Sequence, residues 1–87
     1  MVAHGVRVEG TRLVGDPGRL HLRMRLRQYG RTLGAIAFGM GAREVAPGDR
    51  LDVVFTPRLG LWQGAERLEL EVTDLRASTS AGTSQVA

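Results

Sequence analysis

The residues best placed to do chemistry in this chain are arginines. In residues 20–31, LHLRMRLRQYGR, the apolar Leu20, Leu22, Met24 and Leu26 alternate with His21, Arg23, Arg25 and Arg27. Arg19 and Arg31 flank the run, so residues 19–31 hold five arginines and no acid. Alternation puts Arg23, Arg25 and Arg27 on one face of a strand. Guanidinium forks match phosphate oxygens, and their planes stack on bases. Like charges at i, i+2 and i+4 repel one another, and an ordinary solvated strand face mixes its signs. The pattern therefore points to a polyanion held along this face.

Aromatic residues could supply stacking. Trp62 lies between Gly60 and Gly64, where it can stack on a base or pack over the mouth of a barrel. Tyr29 falls in a turn, which favours exposure and allows stacking. His21 heads the arginine face. It lacks partners for a metal site, because His4 is the only other histidine and there is no cysteine. Surface hydrogen bonding, or contact with a phosphate or base, is the expected role. Asp52 and Asp74 read as strand-end or turn carboxylates paired with arginine. Phe38, Phe55, Ile36, Leu22 and Met24 read as core. No serine or cysteine stands in a nucleophile arrangement with histidine, and no glycine-rich P-loop is present. Neither catalysis nor a cofactor is expected.

The elements that must position these residues are strands. The period is two along most of the chain. Val6 and Val8 alternate, and the phase then slips at Gly10, as at a bulge or sharp bend. Residues 15–18, GDPG, are turn chemistry. The arginine segment is the second strand, and QYGR (28–31) closes a hairpin into a third, TLGAIAFG (32–39). A short helical turn is expected around residues 42–46, ended by Pro47 and Gly48. The fourth strand spans 51–59, with Pro57 at its end or on an unpaired edge. A loop is expected at 60–66, and a fifth strand at 67–76 with Leu68, Leu70 and Val72 facing in. Residues 77–87 are small, uncharged and low in complexity, so a disordered tail is expected after a domain of residues 1–76.

The whole chain has 87 residues, which fits one small domain. Its formal net charge is +3, and all 12 basic residues are arginine. Residues 66–74 carry Glu66, Glu69, Glu71 and Asp74 against Arg67 alone, so a basic side and a separate acidic side are expected. The absence of cysteine fits a reducing compartment, and the cytoplasm is expected. No apolar run approaches the ~20 residues of a membrane span, and the start lacks the apolar segment of a signal peptide. Five strands, a bent first strand and an irregular insert after the third describe an all-β OB-fold, a Greek-key barrel.

Several strings carry a family likeness. His21-Leu22-Arg23, Ile36-Ala37-Phe38-Gly39, Gly48-Asp49-Arg50-Leu51-Asp52, Trp62-Gln63-Gly64 and Leu68 through Arg76 resemble, in order and spacing, the OB domain of bacterial RecJ. That family is a single-strand-specific 5′-to-3′ DNA exonuclease. The likeness covers roughly residues 6–76. It departs where the family often has an asparagine before the loop aromatic and this chain has Gly60 and Leu61. It departs again at Arg23, where lysine is common. The family's metal-binding catalytic motifs lie in other domains, so the resemblance implies a domain without the exonuclease activity.

What the resemblance implies is a module that grips single-stranded DNA without sequence preference. In an OB-fold the face of strands two and three, with the flanking loops, is the usual oligonucleotide platform. The candidate contact residues are Arg19, His21, Arg23, Arg25, Arg27, Tyr29, Arg31, Arg58 and Trp62. The alternative is a protein-docking module, whose partner is a RecJ-type catalytic domain or the acidic tail of a single-strand DNA-binding protein. A purely structural clamp on the nuclease is a third expectation. RNA in place of DNA stays open, and no membrane contact is expected.

Overall fold

A computed structural model describes residues 1–78, apart from the side chain of Trp62. The expected disorder of the tail therefore falls mostly on residues outside those described. The five strands are β1 (Val2–Asp16), β2 (Arg19–Gln28), β3 (Arg31–Ala37), β4 (Arg50–Trp62) and β5 (Ala65–Ala77). They form a closed barrel in the order β1-β2-β3-β5-β4, the connectivity of an OB-fold. All pairings are antiparallel except β3 with β5, which run parallel over Gly34–Ile36 and Glu69–Glu71. β5 reaches Ala77, and the Ser78 N–H donates to Arg50 O at 2.9 Å.

The core follows from the alternation. Val6 and Val8 from β1, Leu22, Met24 and Leu26 from β2, Ala35 and Ala37 from β3, Leu51 and Val53 from β4, and Val72 and Leu75 from β5 form one buried cluster. Met24 is the largest fully buried side chain, and it faces Ala35 across the ladder. Small residues on β3 thus make room for the long methionine. Phe55 is only half-buried, packed against the edge of this cluster.

Three irregularities bend the strands enough to close so small a barrel. Glu9 is the extra residue between the Val8–Leu26 and Gly10–Arg25 pairs. The β1–β4 register shifts between Ala3 and Val6, beside Gly5, whose φ of 67° favours glycine. Thr73 is the extra residue between Val54–Asp74 and Phe55–Val72. Two tight hairpins need no loop residues beyond two. Tyr29-Gly30 and Gln63-Gly64 have φ values of 54° and 75°, and of 49° and 80°, the signature of type I′ turns.

Three sequence expectations are corrected here. Residues 60–66 are not a loop: β4 runs unbroken through Gly60 and Leu61 to Trp62, paired with β5. Pro57 does not end its strand. It sits beyond Val54, the last residue of β4 paired with β1, so its missing N–H costs no ladder bond on that side. No helix forms among the described residues. Residues 38–49 make single turns instead, with Met40 N–H on Ala37 O and Arg43 N–H on Met40 O. Their backbone is claimed by other elements. Gly41 N–H donates to Leu20 O at 3.1 Å, and Gly48 N–H to Val8 O at 2.7 Å. A Cβ on Gly41 would lie 2.4 Å from the Leu20 Cβ, so only glycine permits this approach. Met40 and Val45 lie against the core from this segment.

Asp52 ties the strand ends together. Its carboxylate accepts the Gly5 N–H at 3.0 Å and lies 3.6 Å from His4 Nδ1 and 3.4 Å from Arg76 Nε. The pairing with arginine expected for Asp52 is present. Asp74 instead accepts the N–H of Leu75. The Gly5 hydrogen bond, helped by His4 and Ser78, outweighs burial and holds the Asp52 carboxyl below its ordinary value of 3.8. A lowered folded-state value means the folded chain favours the ionised form. This contribution is complete above the ordinary value and is lost as pH falls through it toward the folded value. Asp52→Asn should therefore flatten the acid limb of the melting-temperature profile below pH ~4. Parallel acid limbs for the parent and the variant would show that Asp52 plays no such part.

Candidate nucleic-acid interface

The outer face of β2 and β3 is built by cross-strand pairs. Arg12 of β1 lies opposite Arg23, and Arg23 opposite Ile36. One row along, Gly10 lies opposite Arg25, and Arg25 opposite Gly34. The parallel β3–β5 pairing then places Glu69 beside Gly34 and Glu71 beside Ile36. Arg58 of β4 pairs with Glu69. A cleft of about 890 Å³ opens over these rows, lined by Arg12, Arg23, Arg25, Arg58 and Arg67 and by Glu69 as its acid.

Glycines shape its floor. The Arg25 guanidinium lies over Gly10, where a Cβ would stand 3.4 Å from Nε and from Nη2. Nothing stands over Gly34, so the floor there is bare backbone. Across the cleft, Gly60 leaves space for the Glu69 carboxylate, 3.2 Å from where a Cβ would be. Ile36 is buried, at 3% exposure, but it points away from the barrel core that Ala35 and Ala37 enter. It belongs to the floor of this face, beside Arg23.

The charges are less segregated than the sequence suggests. Glu69 Oε2 lies 3.7 Å from Arg23 Nη1, and Glu69 Oε1 lies 3.3 Å from Arg58 Nε. Glu71 Oε1 lies 3.4 Å from Arg58 Nη1. The acids of β5 are therefore part of the basic face, because the parallel pairing inserts them there. Among the described residues no ion pair holds Arg12, Arg25 or Arg67. The cleft keeps a positive excess of three uncommitted guanidinium groups.

The proposed contact residues divide accordingly. Arg23, Arg25 and Arg58 line the cleft. Arg27 follows on β2, between Arg7 and Thr32. Arg19 and Arg31 are exposed at hairpin ends, opposite Asp16 and Gln28. Tyr29 is 93% exposed at the tip of its turn. Trp62 ends β4 opposite Ala65, and its side chain is outside the described set. His21 is half-buried, and its Nδ1 accepts the Gly39 N–H at 2.8 Å.

Sequence reasoning did not single out Arg12 and Arg67, which line the cleft. Arg12 was within reach: counting outward from the two-residue turn at Pro17-Gly18 brings it opposite Arg23. Phe38 was assigned to the core, and that assignment is corrected. Ala37 points inward, so the next residue points out, and Phe38 is 43% exposed.

Among the described residues, no group of His, Asp or Glu is arranged to hold a metal ion. The arrangement can bind an anionic chain by charge-assisted, forked hydrogen bonds. With the bare floor at Gly34, it admits a chain lying across the strands. Gly34→Val should keep or raise the melting temperature, since glycine weakens a strand interior and open space receives the side chain. A fall of many degrees would show that Gly34 is required by packing instead.

Comparison with known proteins agrees with this architecture. A family model described as the RecJ OB domain matches residues 1–74. No curated protein and no solved structure matches the chain.

Proposed function

We propose that this chain, which belongs to the RecJ OB domain family, is a nucleic-acid-binding module that holds single-stranded DNA without sequence preference in the cleft between β2–β3 and the β4–β5 ribbon. The observation that carries this reading is the set of five cleft arginines against the single acid Glu69. Phosphates meet the guanidinium groups of Arg12, Arg25 and Arg67; Arg23 joins when it releases Glu69, and Arg58 when it releases Glu69 and Glu71. In this reading the guanidinium groups contact phosphates and not base edges, so they set affinity and not sequence. The module has no chemistry of its own in this reading. It grips a strand for a nuclease centre carried by other domains, in DNA repair and recombination.

A second reading rests on the apolar residues of the ribbon. Leu59 and Leu68 are cross-strand partners, and with Leu61 they are exposed; Leu61 and Leu68 also line the cleft. Apolar residues in such a cluster suit a protein surface, so a catalytic domain could dock there in place of DNA.

Binding by counterion release makes the first reading measurable. For single strands, log K falls with log salt by about 0.7 per neutralised phosphate. Arg12, Arg25 and Arg67 changed together to Gln should flatten that slope by roughly 2 units and weaken binding alike across sequences. Changing Arg19 and Arg31 should leave the slope nearly as it was. Glu69→Gln, which frees Arg23 and leaves Arg58 paired with Glu71 alone, should tighten binding and steepen the slope by about 0.7 unit. Parental affinity and slope in the triple variant would remove the cleft from the account and leave protein docking ahead.

A further inference from the structure

Phe38 is an apolar ring left 43% exposed just past β3, on the outer face of a barrel that buries Leu22, Met24 and Leu26 of β2 and Ile36 of β3. Its surroundings fix it. Ala37, fully buried, anchors it on one side, and Gly39, with a φ of 72°, turns the chain on the other. The Gly39 N–H donates to His21 Nδ1 at 2.8 Å. That bond orients the imidazole, which meets the Phe38 ring nearly edge-on, with centroids 5.2 Å apart at 74°. The neutral imidazole then carries its proton on Nε2. The Arg58 guanidinium carbon stands over the Phe38 ring, 5.9 Å from its centroid.

Arg58 also lines the arginine cleft, so the ring lies next to the end of the phosphate track. We propose that Phe38 is a base-stacking platform: one nucleobase of a bound single strand stacks on its ring while Arg58 and the cleft arginines hold the neighbouring phosphates. This rests on the nucleic-acid reading above and adds where a base, as opposed to a phosphate, is held. A pre-oriented aromatic ring beside a basic groove is what sequence-tolerant stacking requires. Every base has a π-face, so the site takes any base and prefers none strongly.

The test compares a short dye-labelled oligothymidylate with an abasic strand of the same length, by anisotropy at two salt concentrations. Phe38→Leu keeps apolar cover and loses the π-face; Phe38→Trp keeps the π-face. Phe38→Leu should weaken oligothymidylate binding by about 5- to 150-fold with the salt slope unchanged. It should leave abasic-strand binding at the parental level, and Phe38→Trp should bind oligothymidylate as the parent does. Equal oligothymidylate affinity for Phe38→Leu and parent overturns the platform alone, as does an equal loss on the abasic strand. A parent that binds neither strand overturns the nucleic-acid reading and the platform with it. If Phe38→Leu fails to fold, the parent decides by magnetic resonance. Phe38 ring protons shifting upfield with oligothymidylate, and not with the abasic strand, support stacking; unmoved ring protons overturn it.

Discussion

A single extra residue, Glu9, decides which side chains reach the cleft. Side chains alternate along a strand, so one inserted residue exchanges the two faces. Before the bulge, Val6 and Val8 point into the core. Without it, Gly10 and Arg12 would follow them inward, and an arginine would be buried in an apolar barrel. With Glu9 unpaired, Gly10 and Arg12 fall opposite Arg25 and Arg23 on the outer face. The same bend lets β1 leave β4 and continue with β2, which a closed five-strand barrel demands. The local distortion therefore serves both closure and the placement of charge.

Electrostatics sets the second constraint. Arg12 and Arg23 are cross-strand neighbours, an arrangement that costs stability unless something screens it. Glu69 does part of this by bridging Arg23 and Arg58. It cannot reach Arg25, which leans over Gly10 on the far side of the bare Gly34 floor. The cleft is thus partly neutralised from within on the β5 side and unneutralised on the β1 side. These ion pairs are partly exposed, so they exchange readily with solvent ions or with a phosphate.

Much of the fold was legible in the sequence because its signals are local. Alternation marked the strands, the phase slip at Gly10 marked the bulge, and Gly30 marked a hairpin. What failed was non-local or depended on size. Nothing near Glu69 says that β5 runs parallel to β3, so the acids appeared to form a separate side. Gly60 and Gly64 around Trp62 imitate a loop, yet Gly60 is a strand residue that makes room for a carboxylate. Phe38 was misplaced because large apolar residues were assumed to fill the core. The barrel instead takes Ala35 and Ala37 there, since Met24 occupies the space. Arg23, Arg25 and Arg58, which line the cleft, were singled out from charge alone, and the register was needed to bring Arg12 and Arg67 beside them.

The central claim is that a single nucleic-acid strand lies in the cleft between β2–β3 and the β4–β5 ribbon. Titrating the isotope-labelled chain with a short single-stranded oligonucleotide, and following each backbone amide by magnetic resonance, tests this most directly. The account predicts that the largest shifts fall on Gly10, Arg25, Gly34 and Gly60, which line the cleft, with little change at Val53 and Leu75 in the core. Shifts confined to residues away from the cleft, such as Arg19 and Arg31 at the hairpin ends, or no shifts at all, would contradict it.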